Sequence, residues 1–444
     1  MSQILISNAL VVSDGRAEHG DVLISGERIE KVGSGLSAPD GAKVVDARGK
    51  WLLPGMIDDQ VHFREPGLTH KGDLASESSA AVAGGITSFM EMPNTKPPAT
   101  TREALAAKYD LAAGRAHANY AFYFGAANDN LEEVLRLQPD EACGVKVFMG
   151  ASTGNMLVDN PKILASIFSQ CPYLIATHCE DTPMILAQEQ AYRERYGEDV
   201  PFSAHPLIRS AEACYKSTEL AVGLARQYGS KLHVLHMTTA RELEFFEPGP
   251  VAGKQITGEA CVHHLWFSDE DYDALGAQLK CNPAVKTAAD RAALREAVVD
   301  GRLNIIATDH APHTADEKAR KYFAAPAGLP LVQHAVLIVL ELVKQGVLDL
   351  PTAVERMSHA PAARYGVIDR GHIAEGQYAD LVLVDPDVQT HVEVDKLYYK
   401  CGWSPLEGQA FSHRVVTTWV NGEAAYHLNQ LATHARGQRL HFRQ

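Results

Sequence analysis

The chemically capable residues of this chain fall at regular places. Between residues 55 and 310, apolar runs repeatedly end on one of them. Gly55-Met56-Ile57-Asp58-Asp59 leads to Gln60-Val61-His62-Phe63-Arg64, and the run 86–92 leads through Pro93 to Asn94. Lys146 lies inside Val145-Lys146-Val147-Phe148. Leu174-Ile175-Ala176-Thr177 runs into His178, and Leu232-His233-Val234-Leu235 into His236. Ile305-Ile306-Ala307-Thr308 runs into Asp309, with His313 four residues on. Imidazoles and carboxylates are the usual ligands of a catalytic divalent metal. A lysine ammonium has three donors and no acceptor. Lys146 therefore joins such a set only if CO₂ adds to it, giving a carbamate whose two oxygens can bridge two cations. A metal pair would activate a bridging water and polarise a carbonyl. Asp309 could then carry the proton between that water and a leaving nitrogen. Taken singly, a strand-end histidine is a hydrogen-bonded core residue and a lysine a salt-bridge residue. The whole set on successive strand ends points to a metal centre.

Such a set converges only if the fold brings the strand ends together. The middle of the chain alternates strand-like runs with helix-length segments. Residues 73–83 suit a helix, with Asp at the start, an Ala-rich body and Gly84-Gly85 to end it. Strand patterns follow at 86–93, 121–125, 143–149, 173–177, 231–235, 255–261 and 303–308. This alternation implies a parallel sheet, and its length suits a (β/α)₈ TIM-like barrel over residues 55–364. In a barrel the C-terminal strand ends open onto one face, where such enzymes place their catalysis. The two ends of the chain differ from the middle. Ile4-Leu5-Ile6, Val22-Leu23-Ile24 and Val44-Val45 read as short strands, as do 379–385 and 414–420, the latter running into Asn421-Gly422. Residues 1–54 and 365–444 are thus expected to form one flanking β-sandwich, making the chain α/β with a composite second domain.

Composition narrows the function. Lys plus Arg number 41 and Asp plus Glu 55, a net charge of −14, which argues against a phosphate-backbone binder and so against nucleic acid as a partner. No apolar run is long enough to span a bilayer, and no basic stretch precedes an apolar one at the start. Seven scattered cysteines without a Cys-x-x-Cys read as a reduced, cytoplasmic protein.

Three motifs bear a family likeness. Asp59-Gln60-Val61-His62-Phe63-Arg64-Glu65-Pro66-Gly67, Met92-Pro93-Asn94-Thr95 and Thr308-Asp309-His310-Ala311-Pro312-His313 closely resemble the dihydroorotase branch of the amidohydrolase superfamily. Cys281-Asn282-Pro283 is similar to that family's Asn-Pro segment after the seventh strand, and 375–380 resembles the return into the flanking sandwich. The resemblance implies reversible hydrolysis of L-dihydroorotate to N-carbamoyl-L-aspartate, a small-molecule reaction of pyrimidine synthesis. It implies zinc held by His62, carboxylated Lys146, His178, His236 and Asp309. It gives Arg64, Asn94 and His313 the substrate carboxylate and Asn282 the pyrimidine ring. An Arg fork suits a carboxylate; the plainer reading of Arg64 is a surface ion pair with Glu65. Its spacing of two from His62 would put both on one strand face. The loop 150–155 resembles one that closes over substrate, with Ser152 or Thr153 reaching it. His263 and His264 are expected to support the ligands from behind or to serve the structure. Allantoinases and dihydropyrimidinases share the Lys146, His178, His236 and Asp309 pattern, but their substrates lack a carboxylate here and the enzymes lack an Arg in the place of Arg64. Family habit adds a homodimer.

One position departs from the family. Its first strand carries His-x-His; here it reads Gln60-Val61-His62. A Gln carbonyl is neutral and hard and suits zinc less well than imidazole. Two readings follow. In the first, the protein is an active dihydroorotase with one tight zinc and a second that is weak, displaced or absent. In the second, it is a non-catalytic homologue and structural partner of aspartate carbamoyltransferase. The first is preferred, because a degenerate site would lose more than one ligand.

Overall fold

The computed structural model describes residues 2–152, 154–434 and 436–443. Eight parallel strands form the barrel. In order they are Met56–Val61, Ile86–Glu91, a third in two pieces (Asn119–Phe122 and Phe124–Gly125), Val145–Phe148, Ile175–His178, Leu232–Val234, Ile256–Cys261 and Ile305–Ala307. Tyr123 bridges the two pieces of the third strand, its amide donating to the Glu91 carbonyl at 3.0 Å. The ring closes where the His62 amide donates to the His310 carbonyl at 2.7 Å, beside a parallel bridge between Val61 and His310. Helices cover the outside and side chains fill the inside. Met56–Val61 and Ile86–Glu91 are therefore buried along their whole length.

The helices begin and end where local chemistry requires. Asp73 caps Leu74–Ala83, accepting from the amides of Ala75 and Ser76 at 3.1 and 2.9 Å, while Ser76 Oγ accepts from the Asp73 amide. Such a cap is worth about 0.5–2 kcal/mol. Gly84 ends that helix against the barrel wall, where a Cβ would lie 2.6 Å from the Gln333 carbonyl.

Strands from both chain ends share one nine-stranded sheet. Leu381–Asp385 runs antiparallel to Trp51–Pro54, which in turn pairs in parallel with Gln3–Ser13. Hairpins extend the sheet on either side, through Arg16–Ser25 and Arg28–Gly33 at one edge and Arg414–Val420 and Glu423–His427 at the other. The latter turn on Asn421-Gly422, both with left-handed backbone (φ 52° and 78°), as a two-residue hairpin favours. Ile6, Val22, Ile24, Leu381 and Trp419 form the core of this sheet, each nearly or fully buried. The chain then leaves the sheet. Leu440 and Phe442 are buried beside Tyr123 and Tyr365 of the barrel, and the Leu440 amide donates to the Tyr120 carbonyl at 2.9 Å. Among the described residues no helix is long and apolar enough to cross a membrane.

Candidate active site

Gln60, His62, Arg64, Asn94, Lys146, His178, His236, Asn282, Asp309 and His313 all line one cavity of about 230 Å³ at the C-terminal ends of the barrel strands. Three of them have left-handed backbone: Arg64 (φ 74°), His236 (φ 42°) and Asp309 (φ 47°). Such conformations cost on the order of 1–3 kcal/mol each and persist where the surroundings over-determine them. His62 and Arg64 are not on a strand. The first strand ends at Val61, so the two-residue spacing does not place them on one strand face; the left-handed turn at Arg64 does the aiming. Nor does Arg64 pair with Glu65, whose carboxylate takes Arg115 at 2.8 Å instead.

The fifth and sixth strand ends carry two opposed imidazoles. His178 Nδ1 lies 2.9 Å from His236 Nε2. His178 Nε2 lies 2.7 Å from Glu180, which Arg209 grips with two nitrogens, at 3.0 and 2.6 Å. Burial would raise the Glu180 carboxyl, but Arg209 and His178 together hold it far below its usual range. Being ionised, Glu180 keeps the His178 proton on Nε2 and leaves Nδ1 with a bare lone pair. The His236 amide donates to Glu259 at 3.0 Å, and His236 Nδ1 is buried without a partner. Glu259 is shared with His233, 3.1 Å away inside the barrel. Lys146, 1% exposed, has its Nζ 4.6 Å from the centre of the Phe148 ring and no carboxylate in ion-pair reach among the described residues. Burial pushes its pKa down to about 8.

The first and eighth strands meet at Asp309. Its Oδ1 lies 3.2 Å from both Gln60 Nε2 and His62 Nε2. A carboxylate only accepts, so the Gln60 amide presents its NH₂ there. Its Oε1 accordingly faces Cys261 Sγ at 3.7 Å. His62 Nδ1 donates to Asn94 Oδ1 at 2.8 Å, which turns the Nε2 lone pair toward Asp309. Burial lowers the His62 imidazolium, although Asp309 opposes this. Burial would raise Asp309, yet His62, His263 and Lys146 hold it below its ordinary value. At Asp309–His62 and at His178–His236 two atoms able to ligate a metal thus lie within hydrogen-bond distance, 3.2 and 2.9 Å apart, where a cation can replace a shared proton. Each pair is a place that a cation fits.

The other end of the cavity is cationic. Arg64 Nε donates to the Pro312 carbonyl at 3.1 Å, and Nη2 lies 3.0 Å from His313 Nε2. Lys71 Nζ meets the other His313 nitrogen at 3.0 Å, and the Trp403 indole donates to the His313 carbonyl at 2.7 Å. Burial, with Arg64 and Lys71 beside it, keeps the His313 imidazole neutral, and burial also pushes Arg64 down to about 10. Asn282 Oδ1 is buried without a partner. Ala151 lines the mouth, whereas Thr153 lies outside the described residues. His263 and His264 are buried in the short helix Val262–Trp266 behind the cavity. Sequence reasoning missed Glu180, Arg209, Glu259, Lys71 and Trp403. Only Glu180, two residues past His178, and Lys71, just beyond the first motif, left a local signal.

A model of the amidohydrolase family matches residues 51–425. The chain is 36% identical to a dihydroorotase of Halobacterium salinarum, covering 90% of this chain and 91% of that protein. It is 34% identical to a dihydroorotase of Pelobacter propionicus, over 95% and 99%. Among solved structures, an L-hydantoinase (dihydropyrimidinase) from Arthrobacter aurescens superposes with a TM-score of 0.93 at 25% identity, covering 99% of this chain and 100% of that one. A dihydropyrimidinase from Brevibacillus agri gives 0.89 at 26%, over 98% of each. With family match, end-to-end relatives and barrel in agreement, the chain belongs to the amidohydrolase family, on its dihydroorotase branch.

Proposed function

We propose that this protein is a zinc-dependent dihydroorotase, interconverting L-dihydroorotate and N-carbamoyl-L-aspartate in the cytoplasm. The observation that carries the reading is the Arg64 guanidinium. It is buried, faces the cavity and has no carboxylate in ion-pair reach among the described residues. A buried charge without a partner is unfavourable by several kcal/mol, so the site calls for an anion. The ring carboxylate of dihydroorotate is one; allantoin and dihydrouracil offer none there. Asn94 and His313 flank the same end, and the orphan Asn282 Oδ1 would accept a ring N–H.

Carboxylated Lys146, His178 and His236 would hold the tighter zinc, and His62 and Asp309, with the same Lys146 carbamate, would hold the weaker one. Gln60 fits poorly as a ligand, because its oxygen faces Cys261 rather than Asp309. When bound, the metal brings the pKa of water to about 7 and polarises the amide carbonyl. With a pKa near 8, about one Lys146 in ten is a neutral amine at pH 7, and that form adds CO₂ and loses a proton. Asp309 Oδ2, the oxygen not engaged by Gln60 or His62, takes the proton of the attacking water. It delivers it to the ring nitrogen as the C–N bond breaks.

The non-catalytic reading, as a partner of aspartate carbamoyltransferase, is weaker, because every expected ligand and carboxylate-binding side chain other than the histidine replaced by Gln60 lines one cavity. A homodimer belongs to the proposal and is read by light scattering. The test is an assay in both directions after loading with zinc and bicarbonate. No turnover either way would sink the enzyme reading, and turnover of allantoin or dihydrouracil instead would move it to the neighbouring activities. Arg64→Met should lower kcat/KM for dihydroorotate by about 10²–10³-fold, since removing one partner of a buried charged pair costs about 2–5 kcal/mol.

A further inference from the structure

Behind Gln60, at the end of the seventh strand, stand three metal-capable side chains that the reaction does not use. They are Cys261, His263 and His264, all buried, and one ligand atom from each lies within 4.8 Å of the others. Core histidines normally satisfy both ring nitrogens. These do not. His263 lies near the Thr308 carbonyl, yet neither of its ring nitrogens makes a well-formed hydrogen bond. His264 Nε2 lies 3.2 Å from the Pro283 carbonyl, and its Nδ1 is buried without a partner. An imidazole that gives one N–H to a backbone carbonyl and keeps its other nitrogen unpaired has the arrangement of a metal ligand. The thiol is also under-used. Among the described residues, Cys261 Sγ contacts Gln60 Oε1 at 3.7 Å and Glu259 at 3.9 Å, both weak sulfur hydrogen bonds.

We infer that Cys261, His263 and His264 form a thiolate–imidazole site for a zinc-like divalent cation, separate from the Lys146 centre and reached from the cavity past Gln60. Cysteine sulfur with two imidazoles is a zinc donor set, and Gln60 Oε1, 3.7 Å from Cys261 Sγ, would be the fourth donor. On binding, the thiol proton leaves to solvent and the thiolate becomes the ligand. The site would explain two features together. It gives the unpaired ring nitrogens a partner, and it fixes the Gln60 amide with its oxygen away from Asp309. The inference does not depend on the dihydroorotase reading.

The test is cobalt(II) substitution of the full-length protein, with metal counted per chain and the near-ultraviolet thiolate-to-cobalt charge-transfer band recorded. The wild-type protein should show the band. Cys261→Ser, nearly isosteric, should abolish it and lower the count by one metal per chain. Cys281→Ser, whose sulfur lies 3.9 Å from His264 Nε2, should leave it intact. Lys146→Ala, which empties the other centre, should retain the band. Absence of the band from the wild-type protein would overturn the proposal whether or not any variant folds. So would a band that survives Cys261→Ser, or one that disappears with Lys146→Ala.

Discussion

The two halves of the cavity hold their imidazoles differently. On the fifth and sixth strands, His178 leans on Glu180, itself ion-paired to Arg209, and the His236 backbone is tied to Glu259. Just past the first strand, His62 leans on the neutral amide of Asn94, and Gln60 on that strand stands where the family has a second imidazole. A carboxylate or an amide oxygen behind a histidine fixes its tautomer and orientation, but only the carboxylate's charge raises its basicity as a ligand. The asymmetry therefore extends beyond one substituted residue. It runs through the layer behind the ligands, and it predicts one tight metal position and one weak one.

The harshest way to break this comparison is to remove the residue that the proposed function has both halves share. Lys146→Ala should abolish metal binding at both positions and lower kcat/KM by on the order of 10⁴-fold or more. Atomic absorption in the Cys261→Ser background, which leaves the seventh-strand site out of the count, and the dihydroorotate assay would check this. Zinc retained at the His178–His236 pair would mean that no carbamate bridges the two halves. A subtler variant attacks the tight half alone. Glu180→Gln keeps the shape but leaves the Arg209 charge buried and removes the anion behind His178. Loss of such a partner lowers metal affinity by about 10–100-fold. Chelator competition would measure it, and an unchanged affinity would show that the carboxylate does not distinguish the halves.

The lysine also gives the comparison a pH dependence. Burial lowers the Lys146 pKa from 10.5 to about 8, so the neutral amine fraction grows as pH rises and levels off above pH 8. Protein stripped of metal and CO₂ and then given bicarbonate and zinc should recover activity faster with pH. The rate should change by about tenfold per unit below pH 7 and about fivefold between pH 7 and 8, at constant dissolved CO₂. A rate flat between pH 6 and 8 would mean that carboxylation does not limit assembly.

How much of this was legible in the sequence depended on whether a signal was local. Strand ends were, because the apolar runs lead to their polar residues, and the cavity collects all nine side chains so marked; Asn282, the tenth, was marked only by the family resemblance. The helix cap at Asp73 and the Asn421-Gly422 turn were legible for the same reason. Arg209 was not. It comes from a connection about thirty residues after His178, and nothing in its surroundings ties it to Glu180. Trp403 reaches His313 from a stretch beyond the barrel, and Leu440 and Phe442 return to the barrel in a segment too short to show a period. The aim of Arg64 was misread because spacing assumes a continuing strand, whereas the chain turns left-handed there. The orientation of the Gln60 amide is set by Asp309, nearly 250 residues away, and is invisible in any local pattern.

The gentlest test repairs the loose half. Gln60 Nε2 is 3.2 Å from Asp309 Oδ1, so the side chain already reaches the edge of the weaker position, but with a donor where a ligand is needed. Gln60→His puts a ring nitrogen there, and a neutral imidazole brings a lone pair without adding charge beside Asp309. The expected result is a rise in occupancy of the weaker position toward one metal per chain, with activity at limiting zinc rising by a few-fold at most, since the tight position already carries Lys146, His178 and His236. Counting in the Cys261→Ser background keeps the seventh-strand site out of the sum. If the metal count does not move, then Gln60 is not at the ligand position, and the weakness of this half comes instead from Asn94 behind His62. Asn94→Asp would then be the variant that restores a charged partner to that imidazole.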